Sequence, residues 1–339
     1  ISINLAKGSP PDLARLVDTV PLMEPRLFSK FIDQVNSTNA SSEGAKELLD
    51  ELREFTTRHA EFPDAEWSVS ADRVDRLKTS MQIISPKNIS RHLWLFESPW
   101  VRLPDSSRMD SYVEIPRKRL EIMPDLVAAP NNGLFDFVAQ AGTPYAIGEA
   151  LARHLGDAEN VISHIGIATL DLEEEKARPF VIGLSDGMSR VLPEKWLSYI
   201  GKLHSELPES CLQWIGAGLL PASNTLLEMC VGEYAAPICN GFWENLNIHS
   251  LFHVEIPEGV IDALLNAGRA HDLAALAHKS DSPLEDSDVK KIADAYLADL
   301  SQSIAKGRGH DQMTTYYFWG MLETVEARGI MTLEEIKTA

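Results

Sequence analysis

Apolar residues recur along this chain at spacings of three and four. Between Pro257 and Lys279 one stripe is made by Val260, Ile261, Leu264 and Leu265, and a second by Leu273, Leu276 and Ala277. Each set falls on one face of an α-helix, and Gly268 between them is a helix stop. The spacing predicts a helical hairpin with Leu264, Leu265 and Leu276 buried against its neighbours. The same rhythm runs through most of the chain. Leu13, Leu16, Val17 and Val20 follow Pro10, and Phe28, Phe31, Ile32 and Val35 follow Pro25. Further helices are predicted over 43–60, with Leu48, Leu49, Leu52 and Phe55 inward, and over 70–84, with Val74, Leu77 and Met81. Pro86 opens a short helix that carries Leu93-Trp-Leu-Phe96.

The second half is denser. Helices over 133–141 and 143–155 turn at Gly142, with Thr143 as cap and Pro144 at the first helical position. Others are predicted at 158–170, 178–190, 193–206, 208–219, 222–232, 257–279, 285–303 and 311–328. No segment shows the strict alternation of a strand. The predicted fold class is all-α: an irregular α-solenoid or array of helical hairpins, with short loops that make neighbours antiparallel. No fixed repeat length emerges; helix pairs recur at drifting intervals of ~25–45 residues. Prolines at 99, 104, 116, 124 and 130 mark an irregular connection, interrupted by a helix over 117–127. The expected segments are thus 1–98, 99–130 and 131–339.

Composition narrows the partners. The chain is 44% hydrophobic, enough for a core, and carries 50 acidic against 31 basic residues, a net charge of -19. Such a surface repels phosphate, so neither nucleic acid nor an anionic membrane is expected as a direct partner. The densest basic run, Arg117-Lys-Arg119, reads as a solvated helix face. Cys211, Cys230 and Cys239 form no Cys-x-x-Cys and read as reduced thiols of a cytoplasmic protein. No apolar run reaches the ~18–20 residues of a membrane span. The chain opens on Ile1 and closes around a capping box, Thr332-Leu-Glu-Glu335. We therefore expect a piece of a longer protein, any catalytic or ATP-binding part lying outside it.

Several short motifs compete for a chemical reading. Gly183-Leu-Ser185-Asp-Gly187 matches the serine-hydrolase pattern Gly-x-Ser-x-Gly, with His204, His249, His253, His271 and His278 downstream. That chemistry needs a strand before the serine and a parallel sheet beneath it, whereas the flanks here read as helix. His249 and His253 stand four apart, but Ser250 occupies the place where a zinc protease needs Glu. Gly216-Ala-Gly218 lacks the third glycine, the strand and the acid of a dinucleotide site. Glu173-Glu-Glu175 is a solvated acidic run. Trp94, Phe96 and Trp100, and separately Phe242, Trp243 and Phe252, are aromatic concentrations that suit either a core or an interface anchor. No catalytic residue, cofactor-binding residue or metal ligand is assigned.

Three stretches carry a resemblance: Arg91-His-Leu-Trp-Leu-Phe96 after Pro86, the hairpin from Gly133-Leu-Phe to Pro144-Tyr-Ala-Ile-Gly-Glu-Ala-Leu151, and Leu264 to Leu276. Together they resemble the C-terminal helical region of large bacterial STAND-type ATP-binding proteins of anti-phage defence. The resemblance implies a sensor or scaffold that binds a protein partner, and it carries over no catalytic residue. The leading expectation is a helical interaction module with no enzymatic activity of its own. The alternative is a serine hydrolase using Ser185.

Overall fold

The computed structural model describes residues 8–101, 103, 108–201, 207–219, 224–232, 234–305 and 312–338. Among the described residues there are helices and no strand. Contacts divide the chain into two compact units, Ile1–Ala150 and Leu151–Ala339. The division falls inside a helix at 150/151, whereas the proline pattern had placed segment limits at 98/99 and 130/131. The proline-rich stretch lies within the first unit.

The first unit begins with α1 (Pro10–Leu16), α2 (Pro25–Asn36), α3 (Ala45–Glu61) and α4 (Ala71–Ile84). Helix starts follow the sequence signals: Ser9 and Asp12 close a capping box at α1, and Pro25 occupies the first turn of α2. The apolar stripes of these four helices meet in one core that includes Leu13, Phe28, Phe31, Leu52 and Leu77. Polar groups lock its edges. Arg73 donates to the carbonyls of Val20 (2.8 Å) and Met23 (2.7 Å). Buried His59 accepts the Val69 N–H at Nδ1 (3.2 Å) and lies against the Phe55 ring.

The segment after Pro86 forms a 3-10 helix, Ile89–Phe96. Phe96 is fully buried, and its carbonyl accepts both the N–H (2.7 Å) and the hydroxyl (2.8 Å) of Thr143. Two helices replace the one expected over 117–127: α5 (Arg108–Glu121) and α6 (Met123–Val127). Then come α7 (Gly133–Gln140) and α8 (Pro144–Leu155).

The second unit holds α9 (Ala158–Asp171), α10 (Glu174–Val191), α11 (Pro193–Ile200), α12 (Glu209–Ala217), α13 (Asn224–Gly232) and α14 (Ala236–Asn245). It continues through α15 (Val260–Asn266), α16 (Ala270–Lys279), α17 (Asp286–Ala305), α18 (Gln312–Ala327) and α19 (Leu333–Thr338). The helix expected over 193–206 ends at Ile200; residues 202–206 lie outside the described set. Sequence reading missed α14, whose Pro237, Asn240 and Gly241 weaken its pattern. The hairpin at 257–279 is present as α15 and α16. Gly268 has φ 73°, the left-handed stop, and the Arg269 N–H reaches back to the Leu264 carbonyl at 3.0 Å. Leu264 and Leu276 are fully buried. Leu265 is only half-buried, a correction to the expected stripe. The Arg269 guanidinium caps α14 by donating to the carbonyls of Trp243, Glu244 and Leu246 at 2.8–3.0 Å. The capping box at α19 is closed, with Thr332 N–H on Glu335 at 2.6 Å and Glu335 N–H on Thr332 at 3.2 Å. No described helix is long and apolar enough to cross a membrane.

Candidate functional site

Ser185 sits in the middle of α10 at 0% exposure. Its hydroxyl donates to the Ile215 carbonyl at 2.7 Å and accepts the Trp196 indole N–H at 3.3 Å. Both roles of the oxygen are therefore taken by packing partners. The Asp186 carboxylate is buried and held by Arg190 one turn on, at 3.0 Å. A hydrolase serine needs an exposed hydroxyl on a strand-to-helix turn, and Ser185 has neither the exposure nor the turn.

The glycines of the second weak motif have the same kind of role. A Cβ on Gly218 would press into the backbone of Ile182 and the side chain of Ser185, so this glycine lets the end of α12 lie on α10. Gly216 does the same against α14, at Ile238 and Phe242. The other motifs resolve into local structure. His249 lies in the 3-10 helix Ile248–Leu251, edge-on to Phe252, while His253 lies beyond it and pairs with Asp281 at 2.6 Å. Glu173 to Glu175 form the exposed first turn of α10, where carboxylates complement the helix dipole. Among the described residues no group of three His, Cys, Asp or Glu side chains is placed to hold a metal.

The aromatic concentrations separate. Phe96, Phe242 and Trp243 are core, and Trp94 is half-buried beneath the Arg53 guanidinium. Trp100 is 73% exposed. It meets Tyr112 of α5 edge to face, ring centroids 5.7 Å apart. Tyr112, Val113, Pro116 and Leu120 share the outer face of α5, and Val113 is 71% exposed. The inner face carries Ser111, Ile115 and Arg119, all buried, with buried Ile122 just past its end. The helix is thus turned against its own polarity, with apolar side chains outward and a guanidinium inward.

Backbone carbonyls explain the inversion. Arg119 donates to Leu95 at 2.9 Å and Ser98 at 3.1 Å, and stands 5.3 Å from the Phe96 ring centre. It satisfies two carbonyls at the end of the 3-10 helix that a leucine would strand. Burial lowers its pKa, opposed by the Glu149 carboxylate. The basic run therefore has three fates, not one: Arg117 is exposed and paired with Glu114 and Glu121, Lys118 is half-buried without a salt bridge among the described residues, and Arg119 is core. A pocket of 340 Å³ opens beside this face, lined by Pro99, Trp100, Tyr112, Ile115, Pro116 and Arg119. Pro116 has no N–H for the Tyr112 carbonyl, so an acceptor on the rim lacks its helical donor. The sequence signals that pointed here were Trp100 and the prolines. Tyr112 and Val113 were missed because the expected helix began only at 117, and Leu120 because apolar residues in a helix are read as inward.

Compared with protein-family models, with curated proteins and with solved structures, the chain matches none.

Proposed function

We propose that this chain is a helical protein-interaction module that works by docking a partner and not by catalysis of its own. The observation that carries the reading is the outward apolar face of α5 with Trp100. Trp100, Tyr112, Val113 and Leu120 are all exposed there, and an exposed apolar patch of a few hundred Å² is often functional. The 340 Å³ pocket between Trp100 and α5 has room for an apolar side chain of the partner. Tryptophan and tyrosine are the residue types that most often anchor such contacts. Stacked helical hairpins offering one extended surface would present this face, and the resemblance to STAND-type proteins supplies the sensor version of the reading. The hydrolase alternative gains nothing from Ser185, whose hydroxyl is buried and doubly bonded.

The test is site-specific photo-crosslinking in the source cells, with the crosslinker at position 113 and, as control, at the still more exposed Leu170 of α9. A defined protein crosslinked from 113, not from 170, and lost on Trp100→Ala supports the reading. Equal products from both positions, or products indifferent to Trp100→Ala, overturn it.

A further inference from the structure

On the other flank of α5 lies a separate cleft of 530 Å³ within the first unit. Its walls include Lys87, from the segment after α4, Arg91, His92 and Trp94, from the 3-10 helix, and Lys118 and Ile122. In a chain of net charge -19, three cations on one cleft are unexpected. Their pairing makes them more so. Several other cations of the first unit have carboxylate partners: Lys46 with Glu97, Arg53 with Asp50, Arg58 with Asp18, Arg117 with Glu114 and Glu121. Lys87, Arg91 and Lys118 form no salt bridge among the described residues, although Lys118 is half-buried.

The carboxylate that lines this cleft, Glu121, is held by Arg117 at 2.5 Å. Asp125 and Asp136 line the adjoining pocket, which shares Lys87, Arg91 and His92. Arg91 donates Nε to His92 Nε2 at 2.8 Å, which fixes the imidazole as an acceptor and orients the guanidinium. Its terminal nitrogens make no further hydrogen bond among the described residues. Lys87 and Arg91 are exposed and Lys118 is half-buried, so all three charges are open to an anion in the cleft.

We infer that this cleft binds a carboxylate-rich segment of the partner protein, its acidic side chains on Lys87, Arg91 and Lys118 and an apolar side chain against Trp94, Ile83 and Ile122. The inference rests on the interaction reading above and names the chemistry of the partner. The cations come from three different elements and alternate with apolar wall, a pattern suited to charges spread along a peptide rather than to one phosphate.

The probe is a labelled peptide of alternating Glu and Asp around a central Phe, titrated against the full chain by fluorescence anisotropy. Its counterpart has Gln and Asn in place of the acids. We expect the acidic peptide alone to bind, more weakly as salt shortens the ~10 Å screening length of 0.1 M solution. Lys87→Gln with Lys118→Gln should raise Kd about tenfold or more, with an unchanged circular dichroism spectrum showing an intact fold. Equal binding of the neutral peptide, or an unchanged Kd in the double variant, overturns the inference. Displacement of the peptide by inorganic phosphate at equal charge also overturns it, by showing a small-anion site. Trp100→Ala separates the two readings. If it removes crosslinking to the partner while the lysine changes leave peptide binding intact, the interaction module stands and the acidic-segment assignment falls.

Discussion

Replacing Gly216 by alanine should destabilise the second unit by about 2–4 kcal/mol. The added Cβ would stand 2.9 Å from the Ile238 carbonyl carbon and 3.0 Å from the Phe242 nitrogen, and closer still to the Ile238 oxygen. All three are backbone atoms, so no rotamer change relieves the clash. Non-bonded carbon atoms pack at ~3.5–4.0 Å, and the still closer carbonyl oxygen sets the demand, so α12 and α14 must part by about 1 Å. A gap of that size forfeits a quarter to a half of each contact across it. Ile215, Ile238 and Phe242 are fully buried at this crossing. If they share ~40 atom contacts across it at ~0.15 kcal/mol each, the loss is about 2 kcal/mol. Overpacking strain adds ~1–3 kcal/mol, and the better helix propensity of alanine returns at most ~1 kcal/mol. Gly166, in the middle of α9, is the matched control: a Cβ there meets nothing within 4 Å. Gly166→Ala should therefore stabilise by ~0.5–1 kcal/mol. The same chemical change is expected to act with opposite signs. Urea titrations followed by far-ultraviolet circular dichroism and tryptophan fluorescence give both numbers. Gly241→Ala presses the same two backbones apart at Gln213, so the double variant should cost less than the sum of the singles. A neutral or stabilising Gly216→Ala would refute the close crossing.

Ser185→Ala should cost ~1–3 kcal/mol, because it strands the Trp196 indole N–H; a loss below ~0.5 kcal/mol in urea titration would show the bond to be dispensable. Leu264→Ala should cost ~2–5 kcal/mol as a full core truncation, and half-buried Leu265→Ala clearly less; equal costs would contradict the observed orientation of α15. His59 has its pKa lowered from 6.5, first by burial and then by Arg58, against an opposing pull from Asp18. The folded state therefore prefers the neutral ring, and the stability this contributes is present above pH ~6.5 and lost as pH falls below it. His59→Asn, whose Oδ1 replaces the Nδ1 acceptor, should flatten the fall in urea midpoint between about pH 7 and 5.5; an unchanged slope would assign that fall to other groups.

The helices were legible where packing follows simple periodicity. The stripes from Leu13 to Leu77 meet in one core, and Gly268 and Thr332–Glu335 end and begin helices as their chemistry requires. Legibility failed where a tertiary demand overrode local preference. Helix α14 carries Pro237 and Gly241, poor helix residues, because Pro237 sits in the first turn and Gly241 must admit the backbone of Gln213. Leu265 reads as core by spacing, but the crossing geometry of α15 leaves it at the margin. The candidate docking face was the least legible part. Trp100 stands out as an aromatic, but the helix expected over 117–127 leaves out Tyr112 and Val113, and Leu120 lies on the exposed side of α5.

That reversal and the two imitation motifs share one cause. Small residues and buried polar groups mark both catalytic sites and tight helix crossings, since each needs backbones or hydroxyls brought close. Gly183-x-Ser185-x-Gly187 and Gly216-x-Gly218 belong to the layer where α12 lies between α10 and α14, and Ser185 supplies the hydrogen bond that a bare glycine cannot. The inward Arg119 works in the same way, tying the Leu95 and Ser98 carbonyls that the 3-10 helix leaves open. Arg119 and Ser111 take inner positions of α5 beside Ile115, and Tyr112, Val113 and Leu120 fall on the outer face. A partner that covers the outer patch would remove from water apolar surface that the fold leaves exposed.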